Sequence, residues 1–140
     1  MSAREAGRVV AFDPGSTRIG VAVCSAERSM AFPRAALPAG EGTAARCAAV
    51  VREEGATVVV VGLPLRLDGS EGPEARTARE FAAALDAELA GTVEVVLHDE
   101  RLTTVTAARR LRDVGHRAPA ARSRVDGASA VVLLESWLAT

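Results

Sequence analysis

The chain has 140 residues, 49% of them hydrophobic and 25% charged, which suits one globular domain over residues 1–140 and excludes a disordered or low-complexity protein. Its formal charge of −1 gives no overall case for a polyanionic partner, although all 17 basic residues are arginine. The longest apolar runs are strand-sized and Met1-Ser2-Ala3-Arg4-Glu5 has no signal-peptide core, so the expectation is a cytoplasmic protein with no membrane partner.

The first apolar run, Val9-Val10-Ala11-Phe12, ends on Asp13, breaks at Pro14-Gly15-Ser16-Thr17 and resumes as Arg18-Ile19-Gly20-Val21-Ala22-Val23. A strand, a Pro-Gly turn and a second strand form a hairpin that holds the Asp13 carboxylate at its lip. A carboxylate held so rigidly suits a metal ion, and equally suits bonding to the N–H groups of its own turn. Ser29 to Leu37 reads as a third strand, placed at a sheet edge or bulge by Pro33. Cys24 and Cys47 lack the spacing of a metal knuckle or redox pair and read as small buried apolar residues.

Thr43 to Glu54 has helical periodicity, with Ala44, Cys47, Ala48 and Val51 on one face and Gly55 as its stop. Val58-Val59-Val60-Val61 is a β-branched run ending in Gly62, the pattern of a strand buried on both faces and therefore parallel to its neighbours. Leu63 to Ser70 is a loop leaving that strand's carboxyl end, the edge where open α/β sheets bind ligands. A helix is predicted over Pro73 to Leu89, with proline at its start and Ala78, Phe81, Leu85 and Leu89 on one stripe.

Val93 to His98 is the fifth strand and runs directly into Asp99-Glu100-Arg101. A helix capped by Thr103 or Thr104 is expected to reach Val114, closed by Gly115. Arg109, Arg110, Arg112, Arg117, Arg122 and Arg124 follow, opposed only by Asp113. The planar guanidinium suits phosphate, though such a tract also serves as a plain solvated face. Val125 to Leu138 makes the last helix, with Ala130, Leu133, Leu134 and Trp137 inward and Asp126 in its first turn. The pattern predicts an α/β fold: a mixed five-stranded sheet, three antiparallel strands and then two parallel ones, flanked by helices.

Three acidic positions end or open elements: Asp13, Asp99-Glu100 and Asp126. With strands one and five as neighbours, Asp13, Glu100 and Asp126 would meet at one edge. Two carboxylates about 4 Å apart repel by roughly 4 kcal/mol at an effective dielectric near 20, so the cluster needs protons or a cation. A hard divalent ion such as Mg2+ takes oxygen ligands, and in carboxylate nests such ions support in-line displacement at a phosphodiester. Each acid also has a plain reading: Asp126 complements a helix N-terminus, and Glu100 pairs with Arg101 at the surface. His98 and His116 have no partner acid or nucleophile at a readable spacing, so a catalytic triad is not expected.

At these residues the chain resembles the YqgF or RuvX-type family of Holliday junction resolvases, also described as pre-16S ribosomal RNA nucleases. The resemblance rests on Asp13-Pro14-Gly15-Ser16-Thr17-Arg18-Ile19-Gly20-Val21-Ala22, Val61-Gly62-Leu63-Pro64-Leu65 with Asp68-Gly69-Ser70, Asp99-Glu100-Arg101-Leu102-Thr103-Thr104 with Ala107, and Asp126 with Ala128 and Ala130. It implies an RNase H-like fold and metal-dependent hydrolysis of nucleic acid, with Mg2+ or Mn2+ as cofactor. It also implies a role in maturing the 5′ end of small-subunit ribosomal RNA. The family's catalytic and metal-binding acids fall on Asp13, Glu100 and Asp126, with Asp99 as a candidate fourth. Arg18 and Arg101 fall on phosphate or transition-state contacts, and Arg109, Arg110 and Arg112 are the expected steering residues for the backbone. The family's usual acid after strand two is replaced by Cys24-Ser25-Ala26, its usual lysine before Arg18 by Thr17, and a bulkier residue after Asp126 by Gly127.

The implied partners are a ribosomal RNA precursor or branched DNA, and the small ribosomal subunit, for a monomer or weak homodimer. Three other readings stand beside this one. A resolvase acting on branched DNA needs two sites related by a twofold axis. A non-catalytic RNA-binding module would use the arginine tract alone. An actin-like or sugar-kinase-like ATPase also opens on Asp-x-Gly-Ser-Thr, but needs two such lobes, more than 140 residues supply.

Overall fold

A computed structural model describes residues 7–102 and 125–140, with residues 125–128 described by backbone alone. β1 (Arg8–Pro14) and β2 (Arg18–Cys24) pair antiparallel through the Pro14–Thr17 turn, and β3 (Ala31–Pro38) pairs antiparallel with β2. α1 (Thr43–Glu54) leads to β4 (Ala56–Leu63), which lies parallel to β1, and α2 (Pro73–Leu89) leads to β5 (Glu94–Asp99), parallel to β4. α3 (Val125–Leu138) closes the chain. The sheet order is β3-β2-β1-β4-β5.

Strands one and five are therefore not neighbours as expected, because β4 lies between them. Burial gives the reason. Val58, Val59, Val60 and Val61 are completely apolar and buried on both faces, and such a run is satisfied only inside the sheet. β5 carries Glu94 and residues of intermediate burial, and takes the edge.

Side chains alternate across each strand with a period of two, and this sorts the core into two layers. Val10, Phe12, Val59 and Val61 pack with Cys47, Val51, Leu85 and Leu89 beneath α1 and α2. Phe81 joins them with its ring edge-on to Phe12, centroids 5.9 Å apart. Val9, Ala11, Cys24, Val58 and Val60 pack with Ala130, Leu133 and Leu134 beneath α3. Both cysteines are free and buried, as the spacing indicated, and Cys24 Sγ accepts the Val9 N–H at 3.1 Å.

Several boundaries differ from the sequence reading, β5 running over Glu94–Asp99 rather than Val93 to His98. β3 starts at Ala31 rather than Ser29, because Ser29 and Met30 close the preceding turn by donating their N–H groups to Ser25 Oγ. Helix begins at Glu100, directly after β5, rather than at Thr103 or Thr104. The Asp99 carboxylate accepts the Arg101 N–H at 2.9 Å and so does the capping work expected of a threonine. Residues 103–114, expected to be helical, and the arginine tract of residues 109–124 lie outside the described residues.

Leu134 is fully buried between α3 and the sheet. Leu134→Ala is expected to destabilise the protein by about 2–5 kcal/mol, read as a lower midpoint in chemical denaturation.

Candidate active site

The alternation that sorts the core also decides which acids can meet. Val9 and Ala11 face α3, so Asp13 at the end of β1 falls on that face; Val58 and Val60 place Gly62 there too. On β5, His98 faces α3 and its Nε2 shares a 2.9 Å hydrogen bond with Ser136 Oγ. Glu100, two residues on, leaves β5 on the same side, and its carboxyl makes a hydrogen bond with Asp13. One whole strand lies between the two residues that bond.

Gly62 makes the reach possible. A Cβ at this position would overlap Glu100 Oε1 and lie a tight 3.0 Å from its Cδ. The Glu100 side chain thus occupies the space a β4 side chain would fill, and crosses the strand there to reach Asp13. The sequence reading treated Gly62 as the end of a valine run and as part of a family motif, with no role of its own. A glycine closing an otherwise β-branched strand was the available signal.

The hairpin lip is equally constrained. Gly15 donates its N–H to the Arg18 carbonyl at 2.9 Å, and a Cβ on Gly15 would come within 2.7 Å of that oxygen. The turn therefore needs glycine for close approach, and it leaves Arg18 exposed where β2 begins. Asp13 stands opposite Gly20 in the β1–β2 ladder.

The Glu100 carboxyl is pushed up to about 8, first because burial penalises its charge, then through its hydrogen bond to Asp13 and the nearby charges of Asp13 and Asp99. Glu100 accordingly holds a proton near neutrality and donates it to Asp13. Two carboxyl groups sharing one proton can also accommodate a divalent cation, which would replace the proton. The donors are all hard oxygens, which fits Mg2+ or Mn2+.

Asp99 does not join this pair. It leaves β5 on the α2 side, where Arg101 Nη2 donates to Oδ2 at 2.7 Å and Nε donates to both oxygens at 3.0 and 3.1 Å. These bonds hold the Asp99 carboxyl below its ordinary value. Among the described residues no group of three His, Cys, Asp or Glu side chains converges. The expected meeting of three acids is seen for Asp13 and Glu100. Asp126 lies in the first turn of α3, on the face of the sheet that carries the pair, and its side chain is outside the described residues. Arg109, Arg110 and Arg112 are likewise outside them.

A model of the RuvX family, described as Holliday junction resolvase, matches residues 7–140. The chain belongs to this family. A "Putative pre-16S rRNA nuclease" of Nocardioides sp. is 45% identical over 96% of this chain and 89% of its own length. Proteins of the same name from Thermobifida fusca and Sodalis glossinidius are 46% and 41% identical, over 94% and 95% of this chain and 86% and 94% of their own lengths. Among solved structures, Thermus thermophilus RuvC in complex with Holliday junction substrate matches with TM-score 0.61 and 18% identity, over 95% of this chain and 94% of that one. The fowlpox virus Holliday junction resolvase matches with TM-score 0.56 and 9% identity, over 94% and 97%. These structures establish the RNase H-like fold of this RuvX-family chain. No helix among its described residues is long and apolar enough to cross a membrane.

Two outcomes follow from the shared proton. The folded state holds the Glu100 proton up to about pH 8, whereas an ordinary glutamate releases it near 4.5. The metal-free protein therefore loses stability, on the order of a few kcal/mol, as pH rises between these values. Glu100→Gln, which copies the protonated acid, should flatten that decline, as thermal unfolding in chelator at pH 5 to 8.5 will register. Gly62→Ala should drive Glu100 off Asp13 and abolish the same pH dependence, while β4 keeps its place and the far-ultraviolet circular dichroism is unchanged.

Proposed function

We propose that this RuvX-family protein is a divalent-metal-dependent endonuclease that hydrolyses phosphodiester bonds in the 5′-end maturation of pre-16S ribosomal RNA. The observation that carries this reading is the Asp13–Glu100 pair, brought across β4 at the carboxyl edge of the sheet by the absence of a side chain at Gly62. Relatives above 40% identity that carry the pre-16S rRNA nuclease name favour RNA as the substrate. Branched DNA is the second substrate class, favoured by the family's description and by the fold shared with junction resolvases.

Asp13 and Glu100 would hold the ion, Mg2+ or Mn2+, with Asp126 completing the site from α3. When bound, the ion supplies a Lewis acid for the phosphodiester and charge stabilisation for the in-line displacement. Glu100 releases its shared proton as the site loads, so metal affinity rises with pH through the same range in which stability declines. Arg18, exposed at the neighbouring hairpin, contacts a phosphate of the bound strand, and Arg109, Arg110 and Arg112 guide the backbone toward the acids. Affinity therefore falls steeply with salt. With aromatics only 3% of the chain, base stacking contributes little, and recognition depends on shape and phosphate rather than on sequence. The protein works in the cytoplasm, with the small ribosomal subunit as the natural carrier of its substrate, as a monomer or weak homodimer.

Labelled precursor ribosomal RNA and a four-way DNA junction, each incubated with Mg2+, Mn2+ or chelator, test the reading. The wild type should cut the RNA only with metal, and Asp13→Asn should reduce cleavage at least about a hundredfold while binding persists. Preferential cutting of the junction would move the substrate to branched DNA. Binding without cleavage of either nucleic acid under every condition would leave an RNA-binding module on a nuclease scaffold.

A further inference from the structure

The Asp99–Arg101 pair flanks Glu100 in sequence, yet neither side chain joins the carboxylates. Asp99 accepts the backbone N–H of Arg101 at 2.9 Å and its guanidinium through three further bonds of 2.7 to 3.1 Å, which closes a ring around the Glu100 backbone. A bidentate guanidinium–carboxylate fork of this kind fixes orientation as well as distance. The remaining guanidinium nitrogen, Nη1, points toward the loop that leaves β4, 3.4 Å from the Leu67 carbonyl. A Cβ on Gly69 would sit 3.4 Å from the same nitrogen, and the Asp68 charge lies close by.

That loop is itself ordered by short-range bonds. Arg66 N–H donates to the Ser70 carbonyl at 2.9 Å and Gly69 N–H to the Arg66 carbonyl at 2.8 Å. Asp68 Oδ1 accepts both the N–H and the hydroxyl of Ser70, at 2.9 and 2.7 Å. Leu65 and Glu71 pair across its base. The loop begins immediately after Gly62 and Leu63, the stretch of β4 that Glu100 crosses.

The geometry points to Asp99 and Arg101 as a latch: Arg101 is a positioning residue that ties the end of β5 to the β4–α2 loop and holds Glu100 over Gly62, and Asp99 is its anchor rather than a metal ligand. The latch rests on the metal-site reading proposed above for Asp13 and Glu100. It replaces the expected phosphate contact at Arg101 and the expected fourth ligand at Asp99. The guanidinium is already committed to Asp99 and the loop, so it serves the reaction through Glu100.

Asp99→Ala, Arg101→Ala, Arg101→Lys and the double alanine variant separate these roles in the full chain. Mn2+ binding by calorimetry, hydrogen exchange at the 65–70 amides, and the salt dependence of RNA binding in chelator are the readouts. The latch predicts about tenfold weaker Mn2+ binding in either alanine variant, typical of losing a residue that orients a ligand, and no further loss in the double variant. Loop exchange should speed up equally in all three, and the salt slope should stay unchanged. Arg101→Lys should resemble Arg101→Ala, because an ammonium cannot reproduce the fork.

A phosphate contact at Arg101 would instead leave Mn2+ affinity intact, reduce the salt slope by about one, and largely survive the lysine substitution. A metal ligand at Asp99 would weaken Mn2+ binding in Asp99→Ala alone. Either pattern overturns the latch, as do additive losses in the double variant or unchanged exchange in the loop. Wild type that binds no Mn2+ overturns the proposed metal site, and the positioning role with it.

Discussion

Everything at the carboxyl edge of this sheet depends on one electrostatic constraint: two carboxyl groups sit within hydrogen-bonding distance, and they cannot both be charged without help. The protein meets the constraint with a proton on Glu100, whose carboxyl is pushed up to about 8. Burial makes that proton stay, and the cross-strand reach makes it shared. The surrounding parts follow from keeping this arrangement in place. β1 and β4 are buried on both faces, Gly62 leaves the passage open, and the Asp99–Arg101 fork holds the backbone from which Glu100 departs. Adjacent residues with opposite directions divide the labour, Asp99 facing the α2 side and Glu100 the α3 side.

The order and type of the described elements were legible because each carries a strong local period. The β-branched run Val58–Val61 announced a doubly covered strand, the Pro-Gly turn after Asp13 announced a hairpin, and Gly55 closed a helix. Strand order was not legible in the same way. Two parallel strands look alike from within, and the position of β5 outside β4 is set by which run can bear an exposed edge. That information was present, in Glu94 and His98 against four consecutive valines, but it lies in a comparison between segments rather than in any one of them.

The site was partly legible for a related reason. Asp13 and Glu100 were identifiable as acids at strand ends, yet the sequence reading brought them together by making their strands neighbours. They meet across an intervening strand instead, through a residue identified only by what it lacks. Asp99 and Arg101 show the complementary limit. Both look functional by type and place, but period-two alternation turns Asp99 to the face opposite Glu100, and the ring it forms with Arg101 is a backbone device that composition does not reveal.

The intervening strand has a consequence for the order in which the molecule becomes competent. β1, β2 and β3 pair through short turns, so their meander needs little loop closure. Pairing of β1 with β4 joins segments far apart in the chain, Ala11 with Val60, and β5 joins the sheet by pairing with β4. Asp13 belongs to the local meander and Glu100 to the last strand added, so no partly folded species lacking β4 possesses both acids in place. Assembly of the pair is therefore a readout of a completed sheet, and a chain caught midway through folding carries the two carboxyl groups apart, with no proton shared between them.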